Sequence, residues 1–374
     1  MSKRLLFLAA LALFVAVWAA DAMIASATSP RLTAALLREL NGKGNLRITF
    51  TRARLHALLL RLDADDVEIF ETGAGIPERR VLYAAGAKAN PDLFSWLRGR
   101  RWLGAVRLEN ADVRVVKDAR GVFNLERILR EAGPGEPPPL PGWKHQDWLF
   151  NLYERLKTAV GSGPRDEEPA FRIASVHLEG RAVLTDRRMK PIVLHDVEIE
   201  ARGLNWFGDG TVGFDSIGIR GVFRGAKVGR FDAQVRRKKK ALEAAVQLKN
   251  LDLAPLVPLY RSTSPVFFEK GWLTLVSKTT LEPGRVVSRN HLRLEDYKML
   301  PVDSWSPESG TVLMALNRHP VLDLRFEVTG DPARPSFEGF VQALAQALEK
   351  DFDRRTLDMI RARARQEMDR IQTT

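Results

Sequence analysis

The sequence contains no cysteine among its 374 residues. Disulfide bonds, thiolate metal ligands, a cysteine nucleophile and lipid attachment to an N-terminal cysteine are therefore excluded. Histidine is scarce, and its six residues never stand at a metal-ligand spacing such as His-Glu-x-x-His. Neither a P-loop nor a Gly-x-Ser-x-Gly segment occurs, and only a Ser/His/Asp set assembled from distant positions stays open. We expect a protein that is not an enzyme and needs no metal or cofactor.

Basic residues outnumber acidic ones, 58 against 46, for a net charge of +12. Such a surplus indicates nucleic acid, anionic lipid or simply a solvated basic surface. Because no fingerprint of a DNA- or RNA-binding module occurs, we expect no nucleic-acid partner. The densest basic run is predicted to be a hairpin tip, either solvated or attracted to anionic headgroups at a membrane surface. It consists of Arg236, Arg237, Lys238, Lys239 and Lys240.

The N-terminus is typical of a membrane-targeting segment. Lys3 and Arg4 precede sixteen uncharged residues, 5–20, and a second apolar run covers 22–27. The positive charges place the N-terminus in the cytoplasm and the body outside it. Sixteen residues fall short of the ~20 that span a bilayer, and small residues near Ala20 and Ala25 are compatible with cleavage. Residues 1–27 are therefore predicted to be an anchor, with a signal peptide as the alternative.

From about Asn45 onward the apolar residues recur with a period of two, as in residues 322–328. The pattern predicts about 16 antiparallel strands with one apolar and one charged face. Two segments rich in proline and glycine bound a predicted helical insertion, and a long amphipathic helix is predicted from Phe337. The expected division is 28–132 and 170–336 for two β segments, 133–169 for the insertion, and 337–374 for the C-terminal helix and charged tail.

A short internal repeat relates residues 106–113 to residues 176–183, one before and one after the insertion. Each copy is predicted to form a strand, a turn at Asn110 or Gly180, and a returning strand.

The predicted apolar face has to be covered, because each large apolar side chain left in water costs about 1.5–3 kcal/mol. A sandwich or barrel closed on itself is one solution. An open, curved sheet whose apolar face holds acyl chains is the other. The alternation alone does not choose between them.

Two stretches resemble the AsmA-like envelope proteins of Gram-negative bacteria. Residues 103–129 contain the two strands and the step Gly121-Val122-Phe123-Asn124-Leu125, and residues 251–337 close on Gly330-Asp331-Pro332-Ala333-Arg334-Pro335-Ser336-Phe337. The resemblance implies an N-terminal transmembrane helix in the inner membrane and a long, curved, taco-like β-groove in the periplasm, related to bridge-like lipid-transfer proteins. It implies a part in phospholipid movement or outer-membrane integrity, with no catalytic residues. This chain is short for a complete bridge, so a shuttle role or a partner becomes the expectation.

We therefore expect a periplasmic protein whose partners are phospholipid and the inner membrane. The expected groove lining is Ile69, Val115, Ile199, Leu248, Leu294 and Phe326. The alternative is a scaffold or assembly factor that meets an outer-membrane or secretion protein through the C-terminal helix and basic tail.

Overall fold

The structure is a computed structural model. It describes residues 29–31, 33–34, 37–38, 41, 46–56, 61–73, 76–92, 95, 98, 102–117, 124, 168–169, 171–186, 191–207, 212–238, 241–257, 266–301, 307–332, 334–349 and 352–373. The predicted anchor at 1–27, nearly all of the predicted insertion, and Lys239 and Lys240 lie outside these residues. No helix in the described part of the chain is long and apolar enough to cross a membrane.

The described residues form one open, mainly antiparallel sheet of 15 strands, close to the 16 that the alternation predicts. Alternating apolar and charged side chains favour a strand that is buried on one face only. The strands are β1 (Leu46–Thr49), β2 (Arg52–His56), β3 (Arg61–Gly73), β4 (Ile76–Pro91), β5 (Leu103–Lys117), β6 (Phe171–Asp186), β7 (Ile192–Trp206), β8 (Val212–Gly213), β9 (Ser216–Arg224), β10 (Val228–Lys238), β11 (Ala241–Asp252), β12 (Val266–Glu282), β13 (Arg285–Pro301), β14 (Val321–Asp331) and β15 (Arg334–Ser336).

The strands follow one another across the sheet in chain order from β3 to β7 and from β9 to β15. β1 and β2 both pair with β3, and β8 pairs with β7 beside β9. The path from β1 to β15 contains 13 strands. At ~4.8 Å between neighbours, the sheet is about 58 Å across.

Three helices lie towards the C-terminal end: α1 (Pro307–Leu316), α2 (Glu338–Ala347) and α3 (Arg354–Thr373). The alternation gave no indication of α1. The prediction of a single long helix from Phe337 is wrong, because the helix is interrupted between α2 and α3. Asp353 supplies the physical reason, since its carboxylate accepts the backbone N–H of Thr356 at 2.7 Å and so caps a new helix.

The internal repeat forms no hairpins, which corrects the sequence prediction. Residues 106–113 lie within the single strand β5, and residues 176–183 lie within β6. Asn110 adopts the left-handed conformation, with φ of 51°, but the chain continues as a strand beyond it. β5 and β6 pair in parallel, with Val106 opposite Val176, so the two copies lie side by side in the sheet.

Candidate functional site

A single row of paired residues crosses the sheet from β2 to β14 on its apolar face. In order along the sheet it reads Ala53, Ala64, Ala87, Leu108, Leu178, Ile199, Ile219, Ala233, Val246, Ser277, Asn290 and Phe326. Nine strands in succession contribute an apolar side chain, and only Ser277 and Asn290 interrupt the row. Ile219 on β9 is 37% exposed. These residues belong to one continuous apolar surface of the sheet, which is named here the apolar face.

The neighbouring row points to the opposite side and is charged or polar over most of its length. It reads Asp63, Lys88, Arg107, His177, Glu200, Gly218, Gln234, Ala245, Lys278, Arg289 and Glu327. Cross-strand ion pairs tie this face together, for example Lys88 with Glu109 at 2.7 Å and Arg220 with Glu198 at 2.6 Å. A face of this kind is stable in water, so only the apolar face needs a cover.

One group on the charged face has the composition of a metal site. Ligand atoms of His177, Glu198 and Glu200 lie within 4.8 Å of one another. Basic side chains already contact both carboxylates, since Glu198 pairs with Arg220 at 2.6 Å and Glu200 with Arg202 at 3.7 Å. The ring of His177 also contacts Glu179 at 2.6 Å, and this hydrogen bond lowers the pKa of the Glu179 carboxyl. The group is thus part of the ion-pair network.

Polar residues with a left-handed backbone conformation recur along the sheet, and sequence reasoning missed them. Five polar residues in the middle of strands have φ between 44° and 52°: Asp66, Asn110, Asp196, Asn250 and Asp296. The residue after each one is buried: Val67, Ala111, Val197, Leu251 and Tyr297. Asn and Asp adopt this left-handed conformation more readily than other residues with a side chain. The signal in the sequence was an Asp or Asn followed by an apolar residue inside an alternating strand.

The register shifts at Asn110, Asp196, Asn250 and Asp296, which marks β-bulges there. The bulges at Asn110 and Asp196 lie in one row, because Ala111, Gly180 and Val197 are paired in succession. Bulges bend a strand and increase its local twist. Repeating the bulge at the same level on β5 and β7 therefore bends the sheet along a line.

Other parts of the chain cover both ends of the apolar face. At the β14 end, Leu344 of α2 and Leu348, which ends that helix, share a core with Leu324 of β14, and Leu357 and Ile360 of α3 join it. At the other end, Leu37 packs against Phe50, Ala53 and Val67, and the Thr33 hydroxyl accepts the backbone N–H of Ala53 at 2.9 Å. Between these ends, Ala84, Ala111 and Leu178 are also buried, whereas Ile219 is 37% exposed.

The six residues predicted to line a groove all lie on the apolar face, but their surroundings differ. Ile69, Val115, Ile199 and Leu248 are half-buried. Leu294 is 6% exposed in the core beneath α2 and α3. Phe326 packs edge-to-face against Phe340 of α2, with ring centroids 5.1 Å apart. The last two residues therefore face the chain's own helices.

The structure describes three of the five residues of the basic run, at the hairpin between β10 and β11. Arg236, Arg237 and Lys238 are the last residues of β10, and Lys238 is paired with Ala241 at the start of β11. Arg236 and Lys238 are exposed, whereas Arg237 is half-buried because it lies on the apolar face next to Leu242. The run is therefore divided between the two faces of the sheet.

No protein-family model matches this chain, and neither a curated protein nor a solved structure matches it.

Proposed function

We propose that this chain is a non-catalytic, inner-membrane-anchored periplasmic protein that binds or transfers phospholipid along its apolar face and contributes to outer-membrane lipid homeostasis. The observation that carries the proposal is the row of nine successive apolar strands on an open sheet. Acyl chains gain about 0.8 kcal/mol for each CH₂ that they bury, so such a face suits them. The opposite face is charged, which leaves one surface for lipid and one for water.

The bulges and the two covered ends support a groove. A sheet that bends at the bulges beside Ala111 and Val197 becomes concave on one side, and the helices over β14 and Leu37 over Phe50 limit its length. The charged residues and the apolar run within 1–27 support an extracytoplasmic body. The resemblance to the AsmA-like family points the same way.

The dimensions favour a shuttle, or a protein that works with a partner. A sheet about 58 Å across is little more than one bilayer thickness of about 40–45 Å. A single copy therefore has room for one lipid or for a few lipids side by side. We do not propose that one copy bridges two membranes.

The test compares phospholipid retained by the purified full-length chain and by two variants with the same change in charge. Ile219→Glu places a carboxylate on the apolar face, where the side chain is already 37% exposed. Gln234→Glu is the matched control, because Gln234 neighbours Ala233, the partner of Ile219, but points to the charged face. We expect the wild type and Gln234→Glu to retain about one phospholipid or more per chain and Ile219→Glu to lose most of it.

Equal lipid content in all three proteins, or none in the wild type, would contradict the proposal. Circular dichroism and the thermal midpoint show whether Ile219→Glu is folded. Because position 219 is partly exposed, we expect the fold to survive the substitution.

The scaffold is the second candidate, and exposed apolar side chains near the C-terminal end favour it. Met314 on α1, Val321 on β14 and Met359 on α3 are 64%, 42% and 39% exposed. If this surface binds a protein of the envelope, Met359→Asp will impair function in cells and leave retained phospholipid unchanged. If lipid binding is the function, Ile219→Glu will impair both together.

A further inference from the structure

An open sheet has two outer edges, where backbone N–H and C=O groups can pair with a strand of another molecule. One edge of this sheet is formed by β1 and β2, which both pair with β3 on their inner side, and the other by β14 and β15. A second copy of this chain added at either edge would lengthen the apolar face. The state of the two edges therefore decides whether copies can join into a longer groove.

A single side chain occupies the outer side of β1. Ile48 donates its backbone N–H to Oδ1 of Asn41 at 2.6 Å, and the Ile48 carbonyl oxygen accepts a hydrogen bond from Nδ2 of Asn41 at 2.8 Å. The Asn41 amide thus takes the place that the backbone of a neighbouring strand would take. Nδ2 also donates to the carbonyl oxygen of Leu37 at 2.9 Å, which holds the amide in position.

The outer side of β2 is interrupted in the same way, because the Thr33 hydroxyl accepts the backbone N–H of Ala53. β1 and β2 contain only four and five residues, and outward-facing backbone groups alternate along a strand. With Ile48 and Ala53 occupied, the alternation leaves one outward residue on each strand, Leu46 and Leu55. A partner strand would therefore meet no two successive open positions on β1 or on β2.

At the opposite edge, a helix and a proline have the same effect. Gly339 of α2 lies so close to β14 that a Cβ there would overlap the carbonyl oxygen of Glu327 and lie 3.2 Å from its nitrogen. Phe340 of the same helix packs on Phe326. β15, the outermost strand, has three residues, and its central Pro335 has no backbone N–H. Short strands, proline and a covering helix all hinder edge-to-edge pairing.

We infer that both edges of the sheet are closed to strand addition, so that the apolar face ends with this chain and a second copy does not lengthen it. The consequence for lipid rests on the proposed function: each copy holds its lipid alone, as a carrier does. Lipid then enters and leaves over the middle of the sheet, where Ile219 is 37% exposed, and does not pass through an end into a neighbouring copy.

Because the natural sequence has no cysteine, a single introduced thiol can report edge pairing. If two copies joined with Leu46 opposite Ile48, Arg47 would stand opposite itself at about 4.5 Å, which is the Cα separation of a non-hydrogen-bonded pair and suits a disulfide. Arg47→Cys is introduced into the full-length wild type and into Asn41→Ala, which removes the amide from Ile48. After oxidation, we expect the wild-type background to stay monomeric and Asn41→Ala to give about tenfold more crosslinked dimer, since both backbone groups of Ile48 become available.

Gln247→Ala is the matched control, because it removes an exposed amide from β11, whose backbone pairs with β10 and β12 on its two sides. With Arg47→Cys it should crosslink no more than the wild-type background. Crosslinked dimer in the wild-type background would overturn the closure. A folded Asn41→Ala that yields no more dimer than Gln247→Ala would overturn it as well.

Circular dichroism shows whether Asn41→Ala is folded. If it is not, Thr33→Val with Arg54→Cys tests the same claim on β2, because valine has the shape of threonine without the hydroxyl that accepts the Ala53 N–H. The same increase in crosslinked dimer is expected, and its absence would overturn the closure at this edge.

Native mass spectrometry of the same samples separates the closed edges from the proposed function. We expect phospholipid on the monomer of the wild type. Phospholipid found only on a dimer would overturn the inference that each copy holds its lipid alone. A wild type without phospholipid in any form would overturn the proposed function and leave the closed edges standing.

Discussion

Gly180 on β6 lies directly against the backbone of Ala111 on β5. A Cβ at position 180 would overlap the carbonyl oxygen of Ala111 and lie 2.5 Å from its nitrogen. The two residues are paired in the parallel contact between β5 and β6, next to the bulge at Asn110. Glycine is thus required where the two copies of the internal repeat meet.

Gly180→Ala should destabilise the protein by about 1–3 kcal/mol or more, because the backbone of β5 or β6 has to move. The control is Gly218→Ala, where the nearest atoms to the new Cβ are 4.0 Å away. Alanine there should be neutral or stabilising, since it reduces the entropy of the unfolded chain. Urea unfolding of both variants checks this. Equal unfolding midpoints would show that the strands do not meet as described.

Asn250 is expected to tolerate glycine better than a branched residue. Its φ of 50° is left-handed, and branched side chains adopt this conformation only with strain. Asn250→Gly should therefore change stability little, whereas Asn250→Val should cost about 1–2 kcal/mol. Gln247→Val on the same strand is the control, because it is exposed and has no left-handed backbone. If Asn250→Val is as stable as Gln247→Val, the bulge on β11 is absent.

The contact between α2 and α3 should weaken in acid. Arg365 donates from Nε to the Glu338 carboxylate at 2.9 Å, and this bond lowers the pKa of Glu338 below its ordinary value of 4.5. Because the folded-state pKa is the lower one, the pair stabilises above pH 4.5 and is lost as the pH falls through the lowered value. Hydrogen exchange in α3 should accelerate as the pH falls below 4.5, after correction for its intrinsic pH dependence.

Glu338→Gln should make α3 exchange faster at neutral pH and flatten its response to acid. The pKa of the Asp353 carboxyl is also lowered, because it accepts hydrogen bonds from Thr356. Asp353→Asn therefore serves as the comparison, with an effect restricted to the first turn of α3. An unchanged acid response in Glu338→Gln would exclude the pair with Arg365 as its cause.

The alternation of residues predicted the fold class and the shared face of Ile69, Val115, Ile199 and Leu248, because the period of two is a local property. The alternation does not predict which strands pair when they are far apart in the sequence. The parallel contact of β5 and β6 joins segments separated by more than fifty residues, and no local signal encodes such a contact. The left-handed Asn110 was interpreted as a turn, since a turn and a bulge need the same backbone conformation.

The position of Arg237 on the apolar face was hidden for a related reason. Arg237 stood in a run of five basic residues and was treated like its neighbours, but one residue along a strand changes the face.

Photo-crosslinking of phospholipid at position 219 tests the central claim most directly. The full-length chain carries p-benzoylphenylalanine in place of Ile219, or in place of Gln234 on the opposite face, in cells grown with radiolabelled phosphate. Irradiation should attach labelled phospholipid to the chain at position 219 and leave position 234 unlabelled. Label at neither position, or equal label at both, would contradict an apolar face that holds lipid.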